Sequence, residues 1–365
     1  MTYLDYQATT PLAPEALAAM LPWLEAQHAN PHSPHRAGRA AKAAVEVARG
    51  QVARLLPEGG RVAFTGGATE ALNWAIKGTH GAIVTLASEH AAVLDTVEAE
   101  RTKGRMVTIL PVASDGLVDL DAARAAIRPG TGLVAAMLVN NEIGVIQPIA
   151  ELAELAHAAG ALMLCDAVQG YGRVPVPGTC DLVAVSAHKI YGPKGIGALW
   201  VRDGVDLAPL LHGGGQEAPG RSGTLSPALC AGFGAAAALM KERAGEDAAH
   251  VERLWEAAMA CFQADRGWSL NGAASPRYHG NLNVRCEGLD VARLMSDLGD
   301  IAFSAGSACA SGSGRPSHVL RAIGLSEQQA RASIRIGFGR YTTEEELADA
   351  LDRIIAAAAA QRIAA

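Results

Sequence analysis

An α/β fold built on a mainly parallel sheet flanked by helices is what this sequence predicts, and three observations carry the prediction. Short apolar runs alternate with helical patterns as far as about Ala244. Those runs are apolar throughout and do not alternate with polar residues, as strands covered on both faces require. Beyond that point a long helical stretch is followed by short strands mixed with helices, which reads as a smaller α+β domain. The expected division is a large domain over 15–244 and a small one formed by 1–14 together with 245–365.

Taken in order, residues 15–56 read as helical, broken by the Pro/Gly/His-rich stretch 30–38. Residues 61–65 form a strand that feeds Gly66-Gly67, and 68–77 the helix after it. A strand at 82–86 and a helix at 89–103 follow, then a buried strand at 133–139 and a helix at 148–159. Strands at 161–165 and 182–185 complete the first part. In the last third, 246–264 is a helix, 280–284, 301–304 and 333–337 are strands, and the alanine-rich 355–365 ends a last helix.

Composition bounds the function. A chain of 365 residues, half of them hydrophobic and 19% charged, can bury a sizeable core and lies far from the disordered regime. Lys and Arg number 31 against 37 Asp and Glu, so no basic stripe is available to neutralise nucleic-acid phosphates. The first residues lack the basic and apolar regions of an export signal. The longest uncharged stretch, 222–240, is interrupted by Gly223, Pro227, Gly232 and Gly234, so no membrane span is expected. Six cysteines occur and none makes a C-x-x-C pair, which leaves a metal site without support. Scattered thiols suit a reducing cytoplasm, and five of the six suit small core positions.

The chemistry starts at Lys189. It follows the strand 182–185 directly, flanked by Ser186-Ala187-His188 and by Tyr191-Gly192-Pro193-Lys194-Gly195, a placement suited to holding a carbonyl cofactor as well as to a plain surface lysine. Asp166 ends the strand 161–165, where a buried acid needs a cation; a protonated pyridine nitrogen is one, and capping the next turn is the plainer use. A lysine paired with such an acid is the pattern of pyridoxal phosphate sites. Thr65-Gly66-Gly67-Ala68-Thr69-Glu70 joins a strand to a helix, so the N–H groups near Ala68 and the Thr69 hydroxyl can cradle an anion. The turn lacks both the G-x-G-x-x-G and the Walker spacing, which counts against NAD and ATP. His90 stands at the next strand end, placed to stack on a ring or move a proton, or to serve structure alone. Cys309 sits among small and polar residues from Ser304 to Gly314, with no packing reason for a thiol, and is a nucleophile candidate on a loop of about 304–316.

With these segments in view the chain resembles the class V aminotransferase family of pyridoxal-phosphate enzymes, and within it the NifS/IscS-type (group I) cysteine desulfurases. The resemblance rests on Tyr3 to Thr10, Thr65 to Glu70, Glu89-His90, Val139 to Gly144 and His188 to Gly195. It continues through His212 to Gly215, Arg221 to Leu225, Gly306 to Cys309 and Ser333 to Arg335. It implies fold type I, pyridoxal 5'-phosphate as cofactor, and conversion of L-cysteine to alanine with a persulfide formed on Cys309. It implies Lys189 as the lysine bonded to the cofactor, Asp166 as partner of the ring nitrogen, Gln169 at the ring hydroxyl and His90 stacked above. Ala68, Thr69, Ser186 and His188 are implied at the phosphate, with Thr224 reaching it from the second subunit of a homodimer. Asn141 and Arg335 are implied at the substrate carboxylate, and a sulfur-acceptor protein, an iron–sulfur scaffold among the candidates, at the end of the reaction. The chain departs from many IscS-type members at Gly66, Val168, Gly170 and Gln216, and lacks beyond Ala365 the extension with which they help dock that scaffold. A selenocysteine lyase, a cysteine/cystine lyase, an aminotransferase, or a weakly active cofactor-binding partner protein are the alternatives. An aminotransferase would not need Cys309.

Overall fold

A computed structural model of the chain describes residues 1–217, 220–306 and 316–364. After a short β1 (Thr2–Tyr3), helices α1 (Pro14–Glu25) and α2 (Arg36–Ala53) precede β2 (Gly60–Thr65). There follow α3 (Ala68–Lys77), β3 (Ala82–Leu86), α4 (Ala91–Thr102), β4 (Val107–Leu110), α5 (Leu120–Ala126), β5 (Thr131–Met137) and α6 (Ile149–Ala158). Then come β6 (Leu162–Asp166), β7 (Leu182–Ser186), β8 (Gly197–Arg202), α7 (Pro227–Glu242) and α8 (Ala244–Ala264). The rest is β9 (Trp268–Leu270), β10 (Asn281–Cys286), α9 (Val291–Asp297), β11 (Ile301–Ala302), β12 (Ser304–Ala305), α10 (His318–Ala322), α11 (Glu327–Arg331), β13 (Ser333–Gly337) and α12 (Glu344–Ala364).

Strands β2 to β8 form one sheet in the order β2-β8-β7-β6-β5-β3-β4. The pairs among β7, β6, β5, β3 and β4 are parallel, and β8 runs antiparallel to both its neighbours. The apolar runs of the sequence are explained by burial on both faces. Met163, Cys165, Val183 and Val185 join the cluster under α2 and α7, while Leu164, Leu182 and Ala184 join the cluster under α3. Helix α3 places Glu70 in its first turn and Lys77 in its last, both favourable to the helix dipole, and buries Leu72, Trp74 and Ile76 against the sheet.

A second sheet, β12-β13-β10-β9, is antiparallel throughout and packs Leu282, Val284, Ile334 and Ile336 with Trp255 and Leu351. Leu4 belongs to this cluster and Tyr6 to the one under α2, so the first residues pass from one to the other. The expected strand at 301–304 is two strands. Residues 301–302 pair with β1, and the chain changes partner at Phe303 so that 304–305 pair with β13. Strands β4 and β8 have no counterpart in the sequence reading. β4 is a sheet edge whose Thr108 and Ile109 are exposed, so it shows no buried run. Four cysteines are buried as expected, but Cys261 is only half-buried. Among the described residues no helix is long and apolar enough to cross a membrane.

Candidate active site

Strands β3, β5, β6 and β7 end on one side of the sheet, where open α/β sheets gather ligands. A cavity of about 850 Å³ lies there. Its lining includes Ala68, Thr69, His90, Asn141, Asp166, Gln169, Ser186, His188, Lys189 and Arg335, all singled out by the sequence. Thr224 is exposed and does not line it. Cys309 lies outside the described residues.

Lys189 closes a single 3₁₀ turn, Ala187–Lys189, that leaves β7. Its Nζ donates to the carbonyls of Gln7 at 2.5 Å and Ala8 at 2.8 Å. Arg173 donates from Nη2 to the Lys189 carbonyl at 2.5 Å and from Nη1 to the Gln169 carbonyl at 3.2 Å, tying the two cavity segments together. Two residues on, Tyr191 holds a left-handed φ of 67°, a conformation a bulky residue adopts only when its surroundings impose it. Thr10 Oγ1 accepts from its N–H at 2.7 Å, and the Arg340 guanidinium lies 4.3 Å from its ring centre.

Asp166 is 6% exposed at the end of β6, and its Oδ1 accepts from the Val168 N–H at 3.0 Å. Burial pushes its carboxyl up to about 6, with the Lys189 charge acting the other way. Beside it Glu89 is fully buried; desolvation and the Asp166 charge push its carboxyl well above the usual range. Glu89 Oε1 accepts from the Met137 N–H at 2.8 Å, and its Oε2 has no hydrogen-bond partner.

His90 is the N-cap of α4, with Nδ1 accepting from the Ala92 N–H at 3.0 Å, which leaves the proton of the neutral ring on Nε2. Burial, with Lys189 and His318 nearby, pushes its pKa down. Burial and the charges of Lys189 and Lys194 push His188 down to about 4.

The turn before α3 is built for close approach. Gly67 is the N-cap of α3 and no side chain caps the helix, so the first-turn N–H groups at Ala68 and Thr69 lack the usual acceptor. A Cβ on Gly197 of β8 would stand 2.6 Å from the Val185 carbonyl oxygen and 2.7 Å from the Gly67 carbonyl carbon, so only glycine lets β8 pass behind the turn.

Arg335 of β13, also in the cavity lining, is 1% exposed. It donates from Nη2 to Asp5 Oδ1 at 2.7 Å and from Nη1 to the Asn141 carbonyl at 3.1 Å. Arg335 Nε, Asn141 Oδ1, Gln169 Oε1 and Gln7 Oε1 are buried without hydrogen-bond partners. Such atoms each cost about 1–3 kcal/mol until something meets them, and all four belong to residues of this cavity. The sequence reading quoted Asp5, Gln7, Ala8 and Glu89 within its motifs but gave them no role, and it did not single out Arg173. Among the described residues no cluster of His, Cys, Asp and Glu could hold a metal.

The chain matches the family model described as aminotransferase class-V over residues 2–350. It is 44% identical over 360 residues to the cysteine desulfurase IscS of Rickettsia bellii, covering 94% of this chain and 88% of that one. To a probable mitochondrial cysteine desulfurase of Schizosaccharomyces pombe it is 43% identical, over 96% of this chain and 73% of that one. A solved structure described as a NifS-like protein superimposes with a TM-score of 0.89 at 32% identity, covering 97% of this chain and 98% of that one.

Proposed function

The chain belongs to the class-V aminotransferase family, and we propose that it is a pyridoxal-phosphate-dependent cysteine desulfurase. It converts L-cysteine to L-alanine and passes the sulfur, as a persulfide on Cys309, to an acceptor protein for iron–sulfur cluster or other sulfur-cofactor synthesis. The observation that carries this reading is the meeting of Lys189 and Asp166, from the ends of neighbouring strands, in one cavity with the uncapped start of α3.

The residues fit the cofactor. Asp166 is a buried acid whose ionisation is suppressed, which a cationic ring nitrogen would relieve. The α3 N-terminus with Thr69, Ser186 and His188 offers donors for a phosphate, and the orphaned Gln169 side chain remains for a ring substituent. Pyridoxal phosphate, when bound, supplies an electron sink for the carbanion formed at the substrate Cα.

The chain's own groups do the rest. Lys189 is the residue that would hold the cofactor covalently, and its free amine would be the base that takes the Cα proton. Arg335 and Asn141 receive the substrate carboxylate, for which a planar guanidinium is matched. His90, neutral and carrying its proton on Nε2, lines the cavity where it would pack against the cofactor. The Cys309 thiolate attacks the substrate sulfur: an S–S bond forms, the C–S bond breaks, and the three-carbon remainder takes up protons and leaves as alanine. In this reading residues 15–244 hold the cofactor, 1–14 with 245–365 bring Arg335 and Cys309 to it, and Thr224 serves the phosphate site of a second copy in a homodimer.

A paired assay on the wild type and Cys309→Ala tests the reading, recording the visible cofactor band, alanine formed, and sulfide released under a reductant. The variant should keep the band and lose both products. Full turnover by the variant would overturn the persulfide step in favour of a lyase that releases sulfur directly. A wild type inert toward L-cysteine would overturn the desulfurase reading itself.

A further inference from the structure

We propose that Asp5 is a positioning residue for substrate recognition: it holds the Arg335 guanidinium in the orientation that receives an amino-acid carboxylate. This rests on the role given to Arg335 above. Asp5 Oδ1 accepts from Arg335 Nη2 at 2.7 Å and from the Ser304 hydroxyl at 2.8 Å, while the same Nη2 lies 3.4 Å from Ser304 Oγ. Arg335 has 1% of its side chain exposed, and a buried guanidinium without an anion is costly and finds other rotamers. Glu142 also interacts with its charge, but burial holds that group toward its neutral form and the Ser317 hydroxyl donates to it. Asp5 is therefore the anion that fixes Arg335.

The backbone around Asp5 makes it a permanent partner and not a displaceable one. Asp5 bridges to Gly337 on the strand of Arg335, and its carbonyl accepts from the Tyr3 hydroxyl at 3.2 Å and the Ala8 N–H at 2.9 Å. A Cβ at Gly337 would meet Gln7 Oε1 at 1.7 Å, so the strap lies directly on β13. The next residues, Gln7 and Ala8, present the carbonyls that hold Lys189 Nζ. One short strap thus orients the carboxylate receptor by a side chain and the proton-transfer amine by its backbone, and so sets the spacing between them.

The test uses the holoenzymes of wild type and Asp5→Asn, an uncharged isostere that can still accept from Ser304. The expected result is a KM for L-cysteine raised about tenfold with kcat lowered less than about threefold and the visible band unchanged. Cysteamine, the same thiol amine without a carboxylate, should perturb the band at equal concentrations in both proteins. In an Arg335→Ala background, Asp5→Asn should add nothing further. A KM within about twofold of wild type, or a cysteamine response weakened as much as that of L-cysteine, overturns the proposal. A wild type that does not turn over L-cysteine overturns the desulfurase reading, and the proposal with it; a normal wild type beside an indifferent variant overturns the proposal alone.

Discussion

Replacing Asp166 by asparagine should stabilise the cofactor-free protein at neutral pH while disabling it. The carboxyl is 6% exposed and burial lifts it from 3.8 to about 6. Between about pH 4 and pH 6 the folded chain therefore keeps a proton that the unfolded chain has released. Stability falls as pH rises through that window and stays reduced above it. A rise of roughly two pKa units, at about 1.4 kcal/mol each, amounts to about 3 kcal/mol lost at pH 7. Asparagine can still accept from the Val168 N–H and carries no charge to desolvate. Removing the Asp166 charge also eases the neighbouring Glu89, whose own carboxyl is raised partly by it. Unfolding free energies of the two cofactor-free proteins in urea should coincide near pH 4 and separate in favour of the variant by about 3 kcal/mol near pH 8. With cofactor added, the order should reverse, because a cation then meets the ionised aspartate and has no partner in the variant. A variant no more stable than wild type near pH 8 would refute the reasoning: Asp166 would already be compensated, and its burial would not call for a cation.

Three further outcomes are expected. The His188 ring, held at about 4, should be neutral in the cofactor-free fold, so stability falls as pH drops from about 6.5 toward 4; His188→Gln should flatten that acid-side slope in urea midpoints, and an unchanged slope counts against it. Gly197→Ala forces a Cβ onto the backbone of Val185 and Gly67, and should weaken cofactor binding by about tenfold or more at a stability cost of about 1–3 kcal/mol, read by titrating the visible band and by urea; unchanged affinity would remove the α3 turn from the phosphate site. Glu217, 2% exposed, accepts from Arg49 Nη1 at 2.6 Å, Arg49 Nη2 at 2.7 Å and the Phe64 N–H at 2.8 Å. Glu217→Ala strands both partners and should cost about 3 kcal/mol or more in urea unfolding, whereas a loss under about 1 kcal/mol would show the pair to be dispensable.

What was legible in the sequence follows from where each residue's role is written. Leu164 and Cys165 point to opposite faces and both are buried, so their strand reads directly as an apolar run. Thr108 and Ile109 stand on an exposed edge and carry no such mark. The change of partner at Phe303 depends on β1, which lies at the other end of the chain, and no local pattern records it. Lys189, Asp166 and Thr69 were visible because strand ends and glycine turns are local features that carry unusual side chains. Gln7 and Ala8 stood inside a motif, but their part was not visible, since what they offer Lys189 is a carbonyl that every residue possesses. Glu89 was seen only as part of a motif with His90; its raised carboxyl arises from burial beside Asp166, a neighbour in space and not in sequence.

Groups at this cavity are perturbed in opposite senses, and that bears directly on what fills it. Burial holds Asp166 toward its neutral form against the Lys189 charge, and burial with the Asp166 charge raises Glu89 beside it, so a further cation would be met there. His188 is driven down by burial and by Lys189 and Lys194, the condition of a base crowded by positive charge and lacking an anion. A simple carboxylate would relieve only His188, and a simple amine only Asp166. A ligand that carries both a cationic ring nitrogen and a phosphate relieves both at once. The same charge pattern disfavours an uncharged ligand in this cavity, since neither group would gain a partner. Titrating the cofactor-free protein with inorganic phosphate separates the two: the His188 pKa should rise toward its ordinary value while that of Asp166 stays near 6. Should phosphate leave His188 unmoved, the anion site of this cavity has been misplaced.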